Sequence, residues 1–108
     1  MKLTIRSRHV HLTPDVLEQI RRRITLSFER ISSRIRAIDV TITDVNGPRG
    51  GPDKQCRLRV RGRSIAGIVV EQIGSDPVAT IGAVTERAER AVLRSVARRR
   101  ALDPAFAL

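Results

Sequence analysis

Tryptophan and tyrosine are absent from this 108-residue chain, and phenylalanine occurs only twice. Proteins that hold single-stranded nucleic acid commonly stack bases on aromatic rings. That mode is nearly excluded here, so an RNA partner should be read through its shape and its phosphates. One cysteine, Cys56, permits no internal disulfide and fits a reducing cytosol. No apolar run approaches the length of a membrane span, and the opening MKLTIRSR is not a signal peptide. The expectation is a cytoplasmic protein with no membrane partner. Acids are scarce too: 11 Asp and Glu stand against 21 Lys and Arg, giving a formal net charge of +10 and a pI near 11.7. Arginine outnumbers lysine, and its planar fork matches phosphate oxygens. Such a balance speaks of a polyanionic partner, most often nucleic acid. An acidic membrane surface suits the chain less, because the basic helix has no bulky, aromatic-anchored opposite face.

Catalysis would need a nucleophile beside a base, or a convergent pair of acids. His9, His11, Cys56 and the scattered carboxylates form no such set, so the chain reads as a binding protein without cofactor or small-molecule substrate. His9 and His11 could clip a metal, but no third ligand stands at the required spacing. They read as polar loop residues.

What is present is a regular alternation of elements. Residues 2–8 alternate, with Leu3 and Ile5 on one face and Lys2, Thr4, Arg6 and Arg8 on the other, the pattern of a half-buried strand. Thr13-Pro14-Asp15 opens a helix with a hydroxyl cap, a proline at the first position and an acid in the first turn. Leu17, Ile20, Ile24, Phe28 and Ile31 then form one apolar stripe, opposite a face that carries Arg21, Arg22 and Arg23; the end falls near Ser32-Ser33. A second strand spans 36–45, with Ile38, Val40 and Ile42 inward and Asp39, Thr41 and Thr43 outward. Asn46 to Asp53 is dense in turn-formers; it reads either as a plain hairpin connection or as a Gly-rich tip that brings Arg49 and Lys54 close to an RNA backbone. Cys56, Leu58 and Val60 alternate with Arg57, Arg59 and Arg61 in a third strand. Residues 65–73 make a fourth, whose apolar run leaves its inward face open; Gly67 is a candidate bulge.

The last helix, from Asp76 to Arg100, has two opposed faces. Ile81, Val84, Ala88, Val92 and Ser95 form the side meant for burial. Arg87, Arg90, Arg94 and Arg98 recur at helical spacing on another side, where they repel one another unless an anion lies against them. Neighbouring Glu86 and Glu89 can relieve part of that repulsion. A solvated face and a polyanion-binding ridge both fit this pattern, and the ridge accounts better for the alignment. Asp103-Pro104 stops the helix.

The expected architecture is α+β in the order β-α-β-β-β-α: a four-stranded mixed sheet with two helices packed on one face. The first connection is a right-handed crossover that makes the first strand parallel to its partner. On the uncovered face Lys2, Arg6, Arg8, Arg57, Arg59 and Arg61 should gather across strands, and like charges held opposite one another disfavour a sheet unless an anion joins them. Residues 1–100 form the binding domain and 101–108 a short tail.

The opening Leu3-Thr4-Ile5-Arg6-Ser7-Arg8-His9-Val10-His11-Leu12-Thr13, together with Gly74-Ser75-Asp76 and Ala79-Thr80-Ile81, resembles the ribosome hibernation-promoting factor family, which includes ribosome-associated inhibitor A and was also described as sigma-factor modulation proteins. The order of elements is similar over nearly the whole chain, and Arg87, Arg90, Arg94 and Arg98 fall where that family carries basic residues. The chain looks like a short member, without the C-terminal dimerisation domain of long ones, and a monomer when free. The resemblance implies binding to ribosomal RNA of the small ribosomal subunit, in the channel used by messenger and transfer RNA, with arrest of translation as the result. The expected contact residues are the four arginines of the last helix, Arg6, Arg8, Arg57, Arg59 and Arg61 of the uncovered sheet face, and Arg22 of the first helix. The alternative is a general double-stranded RNA-binding or RNA chaperone domain not tied to the ribosome.

Overall fold

A computed structural model describes residues 1–45, 53–63 and 65–102. Strand β1 (Lys2–Arg8) leads through a turn at His9, whose φ of 60° is the left-handed conformation that redirects the chain. Helix α1 (Pro14–Phe28) follows, capped by Thr13, whose Oγ1 accepts from the Val16 N–H at 3.2 Å. A 3₁₀ segment (Glu29–Arg34) carries the chain to β2 (Ile35–Asp44), slightly beyond the end expected at Ser32-Ser33. Then come β3 (Lys54–Gly62), β4 (Ile65–Gly74) and helix α2 (Pro77–Leu102), two residues longer at its C-terminal end than its periodicity suggested. The expectations for residues 46–52 and for Asp103-Pro104 lie outside the described residues.

The sheet order is β1-β2-β3-β4, with β1 and β2 parallel and the other pairs antiparallel. This is the expected α+β arrangement. α2 lies across β3 and β4, while α1 packs beside it and reaches β1. Between the layers Ile20, Ile24 and Phe28 of α1 meet Ile38, Val40 and Ile42 of β2, Cys56, Leu58 and Val60 of β3, and Ile81, Val84 and Val92 of α2. The buried side of α2 continues through Val96 rather than Ser95, which is only half-buried. Phe28 is wholly enclosed, so no aromatic ring of the described residues faces solvent.

Burial resolves the face of β4: Ile68 and Val70 point inward, while Val69, Glu71 and Ile73 point outward. The pairing jumps from Val60↔Ile68 to Gly62↔Ile65, an extra residue in β4 beside Gly67. That bulge shifts the alternation by one, which is why Ile65 is buried as well. Two glycines mark close approaches. A Cβ at Gly62 would meet the Arg34 carbonyl oxygen, which accepts from the Arg63 N–H at 3.0 Å; a Cβ at Gly74 would meet Thr80 Oγ1. Gly74 thereby lets α2 start directly against the end of β4. There Asp76 Oδ1 accepts from the Val78 N–H at 3.2 Å and the Asp76 carbonyl from Thr80 Oγ1 at 2.7 Å.

Candidate nucleic-acid interface

The arginines singled out in the sequence fall into two main surfaces and one outlier. The first surface is the open face of the sheet. Alternation along β1 and β3 turns Arg6, Arg8, Arg57, Arg59 and Arg61 outward, and all are exposed. Register then decides what separates them. Arg6 lies level with Thr41, Arg57 and Glu71, and Thr4 with Asp39, Arg59 and Val69. β2 therefore interposes hydroxyls and one carboxylate between the two basic strands. The expectation of like charges held directly opposite one another is corrected by this spacing.

Two of the three β3 arginines also have partners. Arg61 Nη2 donates to Asp39 Oδ2 at 3.1 Å, and Arg57 Nε lies 3.3 Å from Glu71 Oε1. All four groups are substantially exposed, so these pairs orient the forks more than they stabilise the fold. Arg59 and Arg6 have no carboxylate partner among the described residues. Around them Thr4 and Thr41 help to line a shallow concavity of about 350 Å³. A phosphate group could take guanidinium and hydroxyl donors there together. The two threonines were visible as outward residues; what the alternation pattern could not supply was their place between Arg6 and Arg59, which only the strand register fixes.

The second surface is the flank of α2 bearing Arg87, Arg90, Arg94 and Arg98, all exposed. Arg87 Nη1 donates to the Glu71 carbonyl at 3.1 Å and lies 3.4 Å from Gln72 Oε1, so the ridge runs beside the free edge of β4. The acids expected to moderate the ridge are engaged elsewhere. Glu86 accepts from Arg23 of α1 at 3.1 Å, and Glu89 lies 3.9 Å from Arg30. Reasoning within one helix, by spacings of three and four, could not see that α1 and the 3₁₀ segment after it would supply these cations. Arg90, Arg94 and Arg98 consequently have no carboxylate partner among the described residues.

Arg22 is the outlier. It projects from the outer side of α1, opposite Ile20 and Ile24, and joins neither surface. His9 and His11 are exposed in the loop after β1, and no group of three His, Cys, Asp or Glu among the described residues could hold a metal. Where β2 ends and β3 begins, Lys54 Nζ contacts Asp53 Oδ2 at 2.7 Å and Asp44 Oδ2 at 3.7 Å. The hydrogen bond to Asp53 is the main reason the ammonium holds its proton above the usual lysine range. Burial pushes the Cys56 thiol up to about 11, so it stays a neutral core side chain.

Among solved structures, the chain is similar to a ribosomal subunit interface protein from Coxiella burnetii, at 14% identity and a TM-score of 0.72 over 90% of this chain and 99% of that one. It is similar also to the N-terminal domain of Protein Y from Thermus thermophilus, at 15% identity and a TM-score of 0.68 over 87% and 98% of the two chains. At these identities the likeness is one of fold. No curated protein matches the sequence. A family description does match, Sigma 54 modulation protein / S30EA ribosomal protein, over residues 3–100. With nearly the whole chain covered, and its strands and helices in the order this resemblance implied, the protein belongs to that family of ribosome-associated, non-enzymatic regulators of translation.

Proposed function

We propose that this chain is a cytoplasmic translation inhibitor of the hibernation type, which binds ribosomal RNA of the small subunit in the channel for messenger and transfer RNA. The observation that carries this reading is the α2 ridge, whose neighbouring acids are held by Arg23 and Arg30 while Arg90, Arg94 and Arg98 have no carboxylate partner among the described residues. Such a ridge meets phosphates as point charges and forks, without reading bases. The open sheet face, through Arg6, Arg57, Arg59 and Arg61, offers a second set of phosphate contacts on the same domain, residues 1–100. Membership of a ribosome-associated family, and the subunit-interface role in the name of one similar structure, agree with this partner.

The test is co-sedimentation with purified small subunits. Replacing Arg90, Arg94 and Arg98 together with Ala removes three exposed cations that support no described contact of the fold. Thermal melting should be nearly unchanged while binding falls at least tenfold. Unaltered co-sedimentation would refute the proposal. Equal affinity for free duplex RNA and for the subunit would make the protein a general duplex binder instead.

A further inference from the structure

The sheet has two open edges, β1 and β4, and the sequence treats them differently. β1 carries Lys2, Arg6 and Arg8 on its outer face, the kind of charge that keeps an edge from pairing with a stray strand. On β4 the only charged outward residue is Glu71, which Arg57 neutralises. Val69 and Ile73 flank it, 45% and 51% exposed. The backbone of this edge is available too. The Glu71 carbonyl points away from β3, because it accepts from Arg87 of α2. In an antiparallel strand the N–H and C=O of one residue share a side and alternate with period two. Val69 and Ile73 therefore turn their peptide groups toward the same open edge.

The surroundings specify what can pair there. A second copy is disfavoured, because a net charge of +10 and the α2 ridge would meet their own like. α2 turns back over the sheet directly after Gly74, and Arg87 is tied to Glu71. With a rise of about 1.5 Å per helical residue against about 3.4 Å per strand residue, Arg90 and Arg94 follow the edge back toward the start of β4.

We infer that β4 accepts an extended acidic segment of a partner protein as a fifth strand. Side chains of an added strand alternate between the two sheet faces. Those on the outer face extend the apolar pair Val69 and Ile73; those on the helix side come beside Arg90 and Arg94. The fitting sequence therefore alternates apolar residues with carboxylates. Arg87 releases the Glu71 carbonyl to an N–H of the incoming strand and turns to one of its carboxylates.

The test needs no ribosome, so its outcome is separate from that of the RNA-binding proposal. The full chain, labelled with ¹⁵N, is titrated with two synthetic peptides of identical composition: one alternates Val with Asp, the other places all Val before all Asp. The alternating peptide should bind at least tenfold more tightly and protect the amides of Val69, Glu71 and Ile73 from exchange. Val69→Lys should remove that advantage. Should Val69→Lys not fold, N-methylating alternate peptide residues on the native protein replaces it: one of the two registers should abolish binding and the other leave it intact. Equal binding of the two peptides, or indifference to N-methylation, overturns the inference. So does a concentration-dependent dimer abolished by Val69→Lys, or protection of these amides by duplex RNA and not by peptide.

Discussion

Cys56 and Lys54 are adjacent in β3 but for one residue, and both hold their protons more tightly in the folded chain than in the open one. In the unfolded chain the thiol ionises from its ordinary 9.0, while in the fold it waits until about 11. Between those values the unfolded state binds fewer protons, so stability must fall as pH rises. The lysine adds to the same alkaline limb, since its clasp on Asp53 is complete below the ordinary lysine pKa and lost above the raised one. Thermal melts should hold level from pH 6 to 8 and decline from about pH 9 upward. Cys56→Ala should flatten the early part of that decline, and a level curve for the native chain through pH 11 would contradict the assignment.

Thr85 is a second residue-scale case. It sits fully buried in α2, and its hydroxyl has no hydrogen-bond partner among the described residues. An unpaired buried hydroxyl destabilises by roughly 1–3 kcal/mol, while valine keeps the same shape without it. Thr85→Val should accordingly raise stability by about 1 kcal/mol, or roughly 4–8 °C in Tm for a domain of this size. Equilibrium urea unfolding reads the sign directly.

At the scale of elements, the junction of β4 and α2 is the tightest joint described, because Gly74 leaves room for the Thr80 side chain. Thr80 Oγ1 is itself anchored to the Asp76 carbonyl, so it cannot swing aside freely. Gly74→Ala should cost about 1–3 kcal/mol. Most of that loss should disappear in a Thr80→Ala background; an equal loss in both backgrounds would mean that something other than this collision is responsible. The joint also shows what sequence reasoning reaches and where it stops. The last helix starts at the expected Asp76, and Thr13-Pro14 announced the first, because caps are local chemistry. β3, and β2 from Ile38 onward, were legible because each buries one face and alternates. β4 was not: apolar residues occupy both of its faces, and the bulge beside Gly67 changes the parity partway along. The arginine ridge was visible as a spacing of three and four. Its lack of neutralising acids was not, since that depends on Arg23 of α1 and Arg30 of the 3₁₀ segment, far away in sequence, lying alongside Glu86 and Glu89.

For the whole molecule, charge is the dominant quantity. Cations lie on the open sheet face and along the α2 flank, while the two acids of α2 that could offset the ridge face α1. Binding to a subunit through about six phosphates should then follow counterion release, with affinity falling by roughly three decades between 50 and 200 mM salt. The slope of log affinity against log salt measures the number of phosphates, and removing Arg90, Arg94 and Arg98 should make it shallower by about three times the single-contact value. A slope near zero would mean that the cations play no part in docking.

The parallel pairing of β1 with β2 reaches back to the moment of synthesis. Lys2 meets Ala37 in the sheet, so β1 finds no seat until α1 and the following strand have emerged. β3 and β4 can each zip to the strand before them as they emerge, through neighbouring hairpins, which need shorter loops to close. A nascent copy therefore trails its cationic arm unseated for longest, and the open sheet face acquires Arg6 and Arg8 only when that arm settles.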